Sequence, residues 1–179
     1  MDSAAATVEV RQIRGPDEID ALGEVTLAAF SSLPADVLSD GYGDELRDVA
    51  GRAAAAMVFV ALVQGHVVGG VTYVPGPDNP LAEFTAAEEA GIRMLSVDPA
   101  AQGRGVGAAL VAACLDAAAA AGKARVALHT TPWMTGAQRL YERLGFRRAP
   151  ERDWHPTPAV PLLGYVLDLD GPTSAMPAG

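Results

Sequence analysis

The chain reads as an α/β domain, and three observations predict it. Short apolar runs of strand character alternate with longer helical runs along the sequence. Glycine and proline clusters punctuate the junctions between them. The 179 residues, 50% of them hydrophobic, suffice to bury one full core. Aromatic residues make up only 6%, so that core is built mainly from Ala, Val and Leu.

Taken in order, Val8-Glu-Val-Arg-Gln-Ile13 alternates apolar and polar residues and predicts a first strand. Pro16-Asp-Glu-Ile opens a helix that carries Leu22, Val25, Leu27 and Phe30; the proline and the acids suit a first turn. Residues 31–43 form a break with Pro34 and two glycines, and a second helix is expected over 44–56. Met57 to Val63 and Val67 to Val74, separated by Gln64-Gly65-His66, predict a β-hairpin. Residues 75–91 make an unusually long connection, and long loops often carry function. Ile92 to Val97 reads as a central strand. A helix over 108–121 ends at the capping Gly122, and a strand follows over 124–130. A helix over 136–144 is closed by Gly145, Phe146-Arg-Arg148 starts the next strand, and 161–169 is the last. The order is β-α-α-β-β-β-α-β-α-β-β. Residues 1–170 are taken as one domain and the Pro-, Ser-, Ala- and Gly-rich 171–179 as a disordered tail.

Composition excludes several function classes. No apolar run approaches the ~20 residues of a membrane span, so no membrane association is expected. Met1-Asp2 and the early charges do not read as a secretory signal. The single Cys114 excludes an internal disulfide and points to a cytoplasmic protein. A net charge of −9 argues against nucleic-acid binding, which needs a cationic surface, and favours cationic partners. His66 and His155 lack partners at ligand spacing, so no metal is expected.

The most informative segment runs from Ile92-Arg-Met-Leu-Ser-Val97 through Asp98-Pro-Ala-Ala-Gln102-Gly-Arg-Gly-Val-Gly107 into the helix that follows. It is strand, glycine-rich turn, helix. The unpaired N–H groups at such a helix start, at the positive end of its dipole, can hold a pyrophosphate with main-chain donors alone. Gly103-Arg-Gly105-Val-Gly-Ala108 fits a dinucleotide pattern, but Asp98 to Gln102 separates strand from loop, and no carboxylate ends the next apolar run, Arg125 to Thr130. A phosphate-binding Walker loop needs Gly-Lys-Ser/Thr, which is absent.

Gln102-x-x-Gly105-x-Gly107 after Met-Leu-x-Val-Asp-Pro resembles the acetyl-CoA motif of the GNAT superfamily of N-acetyltransferases. Downstream, Ala137-Gln-Arg-Leu-Tyr141-Glu-Arg-Leu-Gly-Phe146 resembles that family's second signature, in the expected order and separation. The resemblance implies a mixed sheet with helices on both faces, splayed apart after the strand ending at Val97, with acetyl-CoA as co-substrate in the gap. It implies that Leu95, Ser96 and Val97 present backbone groups to the pantetheine arm as a neighbouring strand would. It places the pyrophosphate on Gly103, Arg104, Gly105, Val106, Gly107 and Ala108, with Arg104 adding a cation and Gln102 bracing the loop.

The same resemblance makes Tyr141 the general acid. A thiol has a pKa near 8.5 and a phenol near 10, so a tyrosine can protonate or hydrogen-bond a departing thiolate. The base is less defined. The family's usual glutamate, two residues before Arg-Met-Leu, is Gly91 here; among Glu83, Glu88 and Glu89 in the preceding segment, Glu89 is taken as the base acting through water. Met134 stands where the family often has a cofactor-contacting asparagine, and His129 is read as structural. Phe30, Trp133 and Trp154 are candidate walls of an acceptor pocket, and 30–42, 75–91 and 151–161 the segments that shape it. The function implied is acetyl transfer to a primary amine of a small molecule or peptide, with homodimerisation possible; a non-catalytic CoA-binding domain is the alternative.

Overall fold

The structure, a computed structural model, describes residues 7–38 and 41–169, so the tail expected over 171–179 lies outside the described residues. The strands are β1 (Val8–Gln12), β2 (Met57–Val63), β3 (His66–Val74), β4 (Glu89–Val97), β5 (Arg125–Thr130), β6 (Arg147–Arg148), β7 (Trp154–Thr157) and β8 (Val160–Asp168). The helices are α1 (Gly15–Phe30), α2 (Tyr42–Arg47), α3 (Val49–Ala55), α4 (Val106–Ala120) and α5 (Thr135–Arg143). The sheet runs β1-β2-β3-β4-β5-β8-β6, and β7 pairs with β8. Only the central β4/β5 pair is parallel; its crossover contains α4, as a parallel connection requires.

The period of two along β2 shows how the layers form. Val58, Val60 and Leu62 pack with Leu22 and Val25 of α1 and Val49 of α3. Phe59 and Ala61 face the other way, into the cluster that holds Leu110, Val111 and Cys114 of α4. Successive strand side chains point to opposite faces, so α1 and α3 cover one face of the sheet and α4 the other. The mixed sheet with helices on both faces is as expected.

Three differences from the sequence reading bear on the site. The helix expected over 44–56 is two short ones, broken at Asp48, whose carboxylate accepts from the Gly51 N–H at 2.9 Å and caps α3. β4 starts at Glu89 rather than Ile92, because Glu89, Ala90, Gly91 and Ile92 pair in parallel with Arg125 to Leu128. The segment around Trp154, where the sequence reading places no strand, is the strand β7.

The β4/β5 ladder then stops at Ile92↔Leu128. Met94 sits at φ +53, an unusual backbone for a non-glycine residue, and the register against β3 slips between Gly70 and Thr72. β4 continues against β3 as far as Gly69↔Val97, but its edge toward β5 has no strand partner beyond Ile92. The sheet splays at this point.

Candidate active site

The splay opens a cleft of about 380 Å³ between the end of β4, the glycine turn and α5. Leu95, Ser96 and Val97 line one wall; Gln102, Gly103, Gly105, Val106, Gly107 and Ala108 line the end. The first bond of α4 runs from the Ala109 N–H to the Gly105 carbonyl at 3.0 Å. The N–H groups of Val106, Gly107 and Ala108 precede it and have no intrahelical acceptor. Gly105, the N-cap, has φ +78 and Gly103 φ +76, the left-handed region that glycine enters without penalty. A Cβ on either would meet nothing within 4 Å, so space lies open above the turn. Gly107 differs: a Cβ there would come within 2.9 Å of Leu140, so its missing side chain also lets α5 close on α4.

An unpaired strand edge leading to a helix N-terminus fits the pantetheine and pyrophosphate of acetyl-CoA. The expected cation differs. Arg104 is exposed and does not line the cleft, whereas Arg139 and Arg143 of α5, one helical turn apart, do. Their i, i+4 spacing within the second signature was the available signal. Ser96 presents only backbone to the cleft, since its side chain is buried against α1, with Oγ 3.1 Å from Thr26 Oγ1. Met134 lines the cleft and packs with Phe30 and Leu33, so apolar packing replaces the family's amide there.

Leu95 and Met134 also line a chamber of about 90 Å³ further along the splay. Tyr141 forms part of its wall. The residue is 4% exposed, tilted against Phe146 and Tyr165 at centroid distances of 5.7 and 6.2 Å. Burial, and secondarily Cys114, raises the phenol above its ordinary pKa, so the hydroxyl keeps its proton across the neutral range. Burial likewise pushes the Cys114 thiol up and leaves it inert as a nucleophile.

Opposite stands a pair that the sequence reading set aside. His129 Nε2 lies 2.9 Å from the Arg152 carbonyl oxygen, which only accepts, so Nε2 donates to it. His129 Nδ1 lies 3.0 Å from Glu83 Oε2, and a ring already protonated at Nε2 needs one further proton between those two atoms. Glu83 Oε1 in turn pairs with Arg93 at 3.2 Å. Burial pulls the Glu83 pKa up, but the His129 hydrogen bond and the Arg93 charge outweigh it, and the carboxylate sits below its usual value.

The position of Glu83 follows from Gly91. A Cβ at Gly91 would fall 2.6 Å from the Phe84 ring. Phe84 occupies the space that a side chain at 91 would fill, and the loop it anchors carries Glu83 into the chamber. An Arg93 hydrogen bond to the Leu81 carbonyl, 3.4 Å, holds the same loop.

Glu89 requires a correction. It is not a loop carboxylate beside the cleft but the first residue of β4, 1% exposed and outside the lining of the clefts. Arg152 clamps it with two bonds, 2.9 and 2.5 Å, and Arg125 adds a third at 3.3 Å. Burial raises its pKa, but Arg152 and then Arg125 outweigh this and hold it below the ordinary carboxylate value. A carboxylate committed to two guanidinium groups at the far end of the strand is a structural anchor.

Tyr42, Glu83, Arg93, Thr131 and Leu162 line both the chamber and a wider outer cleft of about 560 Å³. Its walls include Val37, Gly41, Tyr42 and Glu45 on one side, Glu83, Arg93 and Thr131 at the base, and Trp154, Pro156 and Val160 on the other. Most of its lining residues fall within the segments expected to shape the acceptor pocket, 30–42, 75–91 and 151–161; Glu45, Arg93, Thr131 and Leu162 do not. Of the aromatic candidates, Phe30 lines the chamber and Trp154 the outer cleft, while Trp133, 43% exposed, lines neither. Among the described residues no helix is long and apolar enough to cross a membrane.

An open strand edge, an anion-receptive helix start and a buried tyrosine in one splayed sheet define a class. The chain belongs to the Acetyltransferase (GNAT) family, which it matches over residues 24–146. It is 33% identical over 102 residues to N-acetylaspartate synthetase of Danio rerio, covering 57% of this chain and 33% of that protein. Over 57 residues it is 47% identical to mycothiol acetyltransferase of Gordonia bronchialis, 32% of this chain and 18% of that one. The chain thus spans a third or less of these curated relatives. Among solved structures, the ribosomal-protein-S18-alanine N-acetyltransferase of Escherichia coli superposes with a TM-score of 0.66 at 18% identity, over 95% of this chain and 99% of that one. The yncA protein of Salmonella typhimurium, solved with its cofactor acetyl-CoA, gives 0.65 at 21%, over 96% and 99%. These structures share the fold.

Proposed function

We propose that this chain transfers an acetyl group from acetyl-CoA to a primary amine by direct attack in a ternary complex. The observation that carries the reading is the continuity of the splay. The cleft ending at the α4 N-terminus shares Leu95 and Met134 with the chamber of Tyr141 and Glu83, and that chamber shares five residues with the outer cleft. One substrate can enter from each side. The relative named N-acetylaspartate synthetase supports an amine acceptor.

When bound, acetyl-CoA supplies an acyl thioester. The chain's own groups do the rest. The N–H groups of Val106, Gly107 and Ala108 receive the pyrophosphate, and the open edge of Leu95 to Val97 aligns the arm. Arg139 and Arg143 add positive charge at the cleft. The Glu83 carboxylate attracts the acceptor ammonium and takes or relays its proton, oriented by His129 and Arg93. The Tyr141 hydroxyl delivers a proton to the departing sulfur. No covalent enzyme intermediate is needed, and Cys114 is buried away from the cleft.

The test is thiol release from acetyl-CoA with a panel of primary amines, paired with mass measurement of the acceptor. Equal amounts of free thiol and N-acetylated acceptor are expected. Binding of acetyl-CoA without transfer to any amine would leave a binding domain instead.

A further inference from the structure

An acceptor entering from the outer cleft must pass the throat formed by Tyr42, Glu83, Arg93, Thr131 and Leu162. The throat sets an anion and a cation side by side, Glu83 Oε1 and Arg93 Nη2 at 3.2 Å. Arg93 has five N–H donors; the Leu81 carbonyl and Glu83 engage Nη1 and Nη2 and leave others to spare. Beside them Thr131 is 6% exposed, and its Oγ1 is buried with no hydrogen-bond partner among the described residues. The Gln138 side chain bonds the Thr131 carbonyl at 3.0 Å and holds the backbone there, while the hydroxyl stays unpartnered. Buried polar atoms are nearly always satisfied, and an orphan in the wall of a site is one that a ligand can satisfy.

We infer that the acceptor is an α-amine, one whose neighbouring carbon bears a carbonyl or carboxylate oxygen, as in an amino acid or at a peptide N-terminus. This rests on the acetyl-transfer reading above. The ammonium meets Glu83, and the oxygen on the adjacent carbon meets Arg93 and the Thr131 hydroxyl. A lysine side chain or a diamine satisfies Glu83 and leaves the other two groups unmatched.

Proton chemistry points the same way. A peptide's terminal α-amine has a pKa of about 7.7–8.0 and a lysine amine about 10.4, so at neutral pH a chain terminus offers several-hundredfold more free base. Glu83, kept ionised by His129 and Arg93, is a weak base and suits an amine that sheds its proton readily. In the reaction an N–C bond forms as the C–S bond breaks. Glu83 or water first takes one proton from the ammonium. The free amine then attacks, the electron pair leaves on sulfur, and the nitrogen sheds a second proton to Glu83 or water. Tyr141 supplies one to sulfur and is reprotonated from solvent.

The test compares alaninamide, alanine and a short Ala-initiated peptide with propylamine and Nα-acetyl-lysine methyl ester, at saturating acetyl-CoA. Each kcat/KM is calculated on the free-base concentration, which removes the contribution of amine pKa. We expect α-amines to lead by about tenfold or more on that scale, the worth of one to two hydrogen bonds. Alanine against the peptide separates a free amino acid from a chain terminus. Thr131→Val, which removes an unpartnered hydroxyl without changing shape, should raise KM for α-amines about tenfold and leave alkyl amines and acetyl-CoA affinity unchanged. Arg93→Gln should raise KM for α-amines more strongly and, because Arg93 also holds Glu83, should slow alkyl amines too. Equal free-base rates for both amine types, or a Thr131→Val protein that keeps the full preference, would overturn the inference while transfer itself stands. No transfer to any amine by a protein that binds acetyl-CoA would overturn the transfer reading, and this inference with it.

Discussion

Gly105→Val isolates the cofactor turn from the rest of the fold. Gly105 caps α4 at φ +78, ψ 7, and a Cβ there would meet nothing within 4 Å. The substitution therefore costs backbone conformation and not a clash. An L-residue held in the left-handed region costs about 1–2 kcal/mol, and a β-branched one lies at or above the upper end. Against a domain stability of roughly 5–15 kcal/mol the fold survives, with Tm lowered by roughly 4–8 °C. If the backbone relieves the strain by rotating out of that region, the N–H groups of Val106 to Ala108 turn away from the cleft. A hydrogen bond to a charged group contributes about 1.5–3 kcal/mol, so losing one or two lowers acetyl-CoA affinity by about 10²-fold or more. Calorimetric titration with acetyl-CoA measures this, with circular dichroism confirming the fold and Gly105→Ala expected to fall between wild type and valine. A folded Gly105→Val protein that bound acetyl-CoA at wild-type affinity would refute the assignment of the turn.

Three further outcomes follow from the site. Tyr141→Phe removes the hydroxyl but keeps the ring packed on Phe146 and Tyr165, so kcat should fall by about 10²–10⁴-fold with acetyl-CoA affinity nearly unchanged; an unaltered rate of the chemical step would reduce the residue to packing. Glu83→Gln should raise the acceptor KM. In the wild type Glu83 is already ionised at neutral pH, so kcat/KM should climb with the amine's own deprotonation; a limb that tracks no amine pKa across a substrate series would argue against this. Glu89→Gln should leave that profile intact and cost about 1–3 kcal/mol, because it takes the carboxylate from the part-exposed Arg152 while Arg125 keeps Asp168. Since folding lowers the Glu89 pKa, its contribution is full above the unfolded value of about 4.3 and is lost as pH falls through the folded value. Acid titrations should therefore bring wild type down toward Glu89→Gln; parallel stability curves through that window would remove Glu89 from the ledger of anchors.

Much of this was legible because it rests on local chemistry. The glycine turn, the helix it opens and the second signature are short segments whose backbone needs are written in residue type, and most of the element order followed from the alternation of runs. What stayed hidden depends on contacts between distant residues. Glu89, between Glu88 and Ala90, reads as loop; only the pairing of β4 with Arg125 to Leu128 makes it a buried strand residue. Glu83 and His129 stand 46 positions apart, and their meeting depends on Phe84 filling the place left by Gly91. Arg139 and Arg143 were within reach of a helical-face argument, whereas Arg104, nearer to the motif in sequence, turns to solvent. Thr131 carried no sequence signal, since an unpartnered hydroxyl is a property of its surroundings.

The central claim is transfer, not binding alone. The most direct measurement incubates the protein with acetyl-CoA and an α-amine acceptor, and quantifies free thiol and N-acetylated product together, for wild type and Tyr141→Phe. The account predicts one thiol per acetylated amine in the wild type, and a Tyr141→Phe protein that binds acetyl-CoA but turns over at least about 10²-fold more slowly. Acetyl-CoA binding with no acetylated amine at any pH would contradict it.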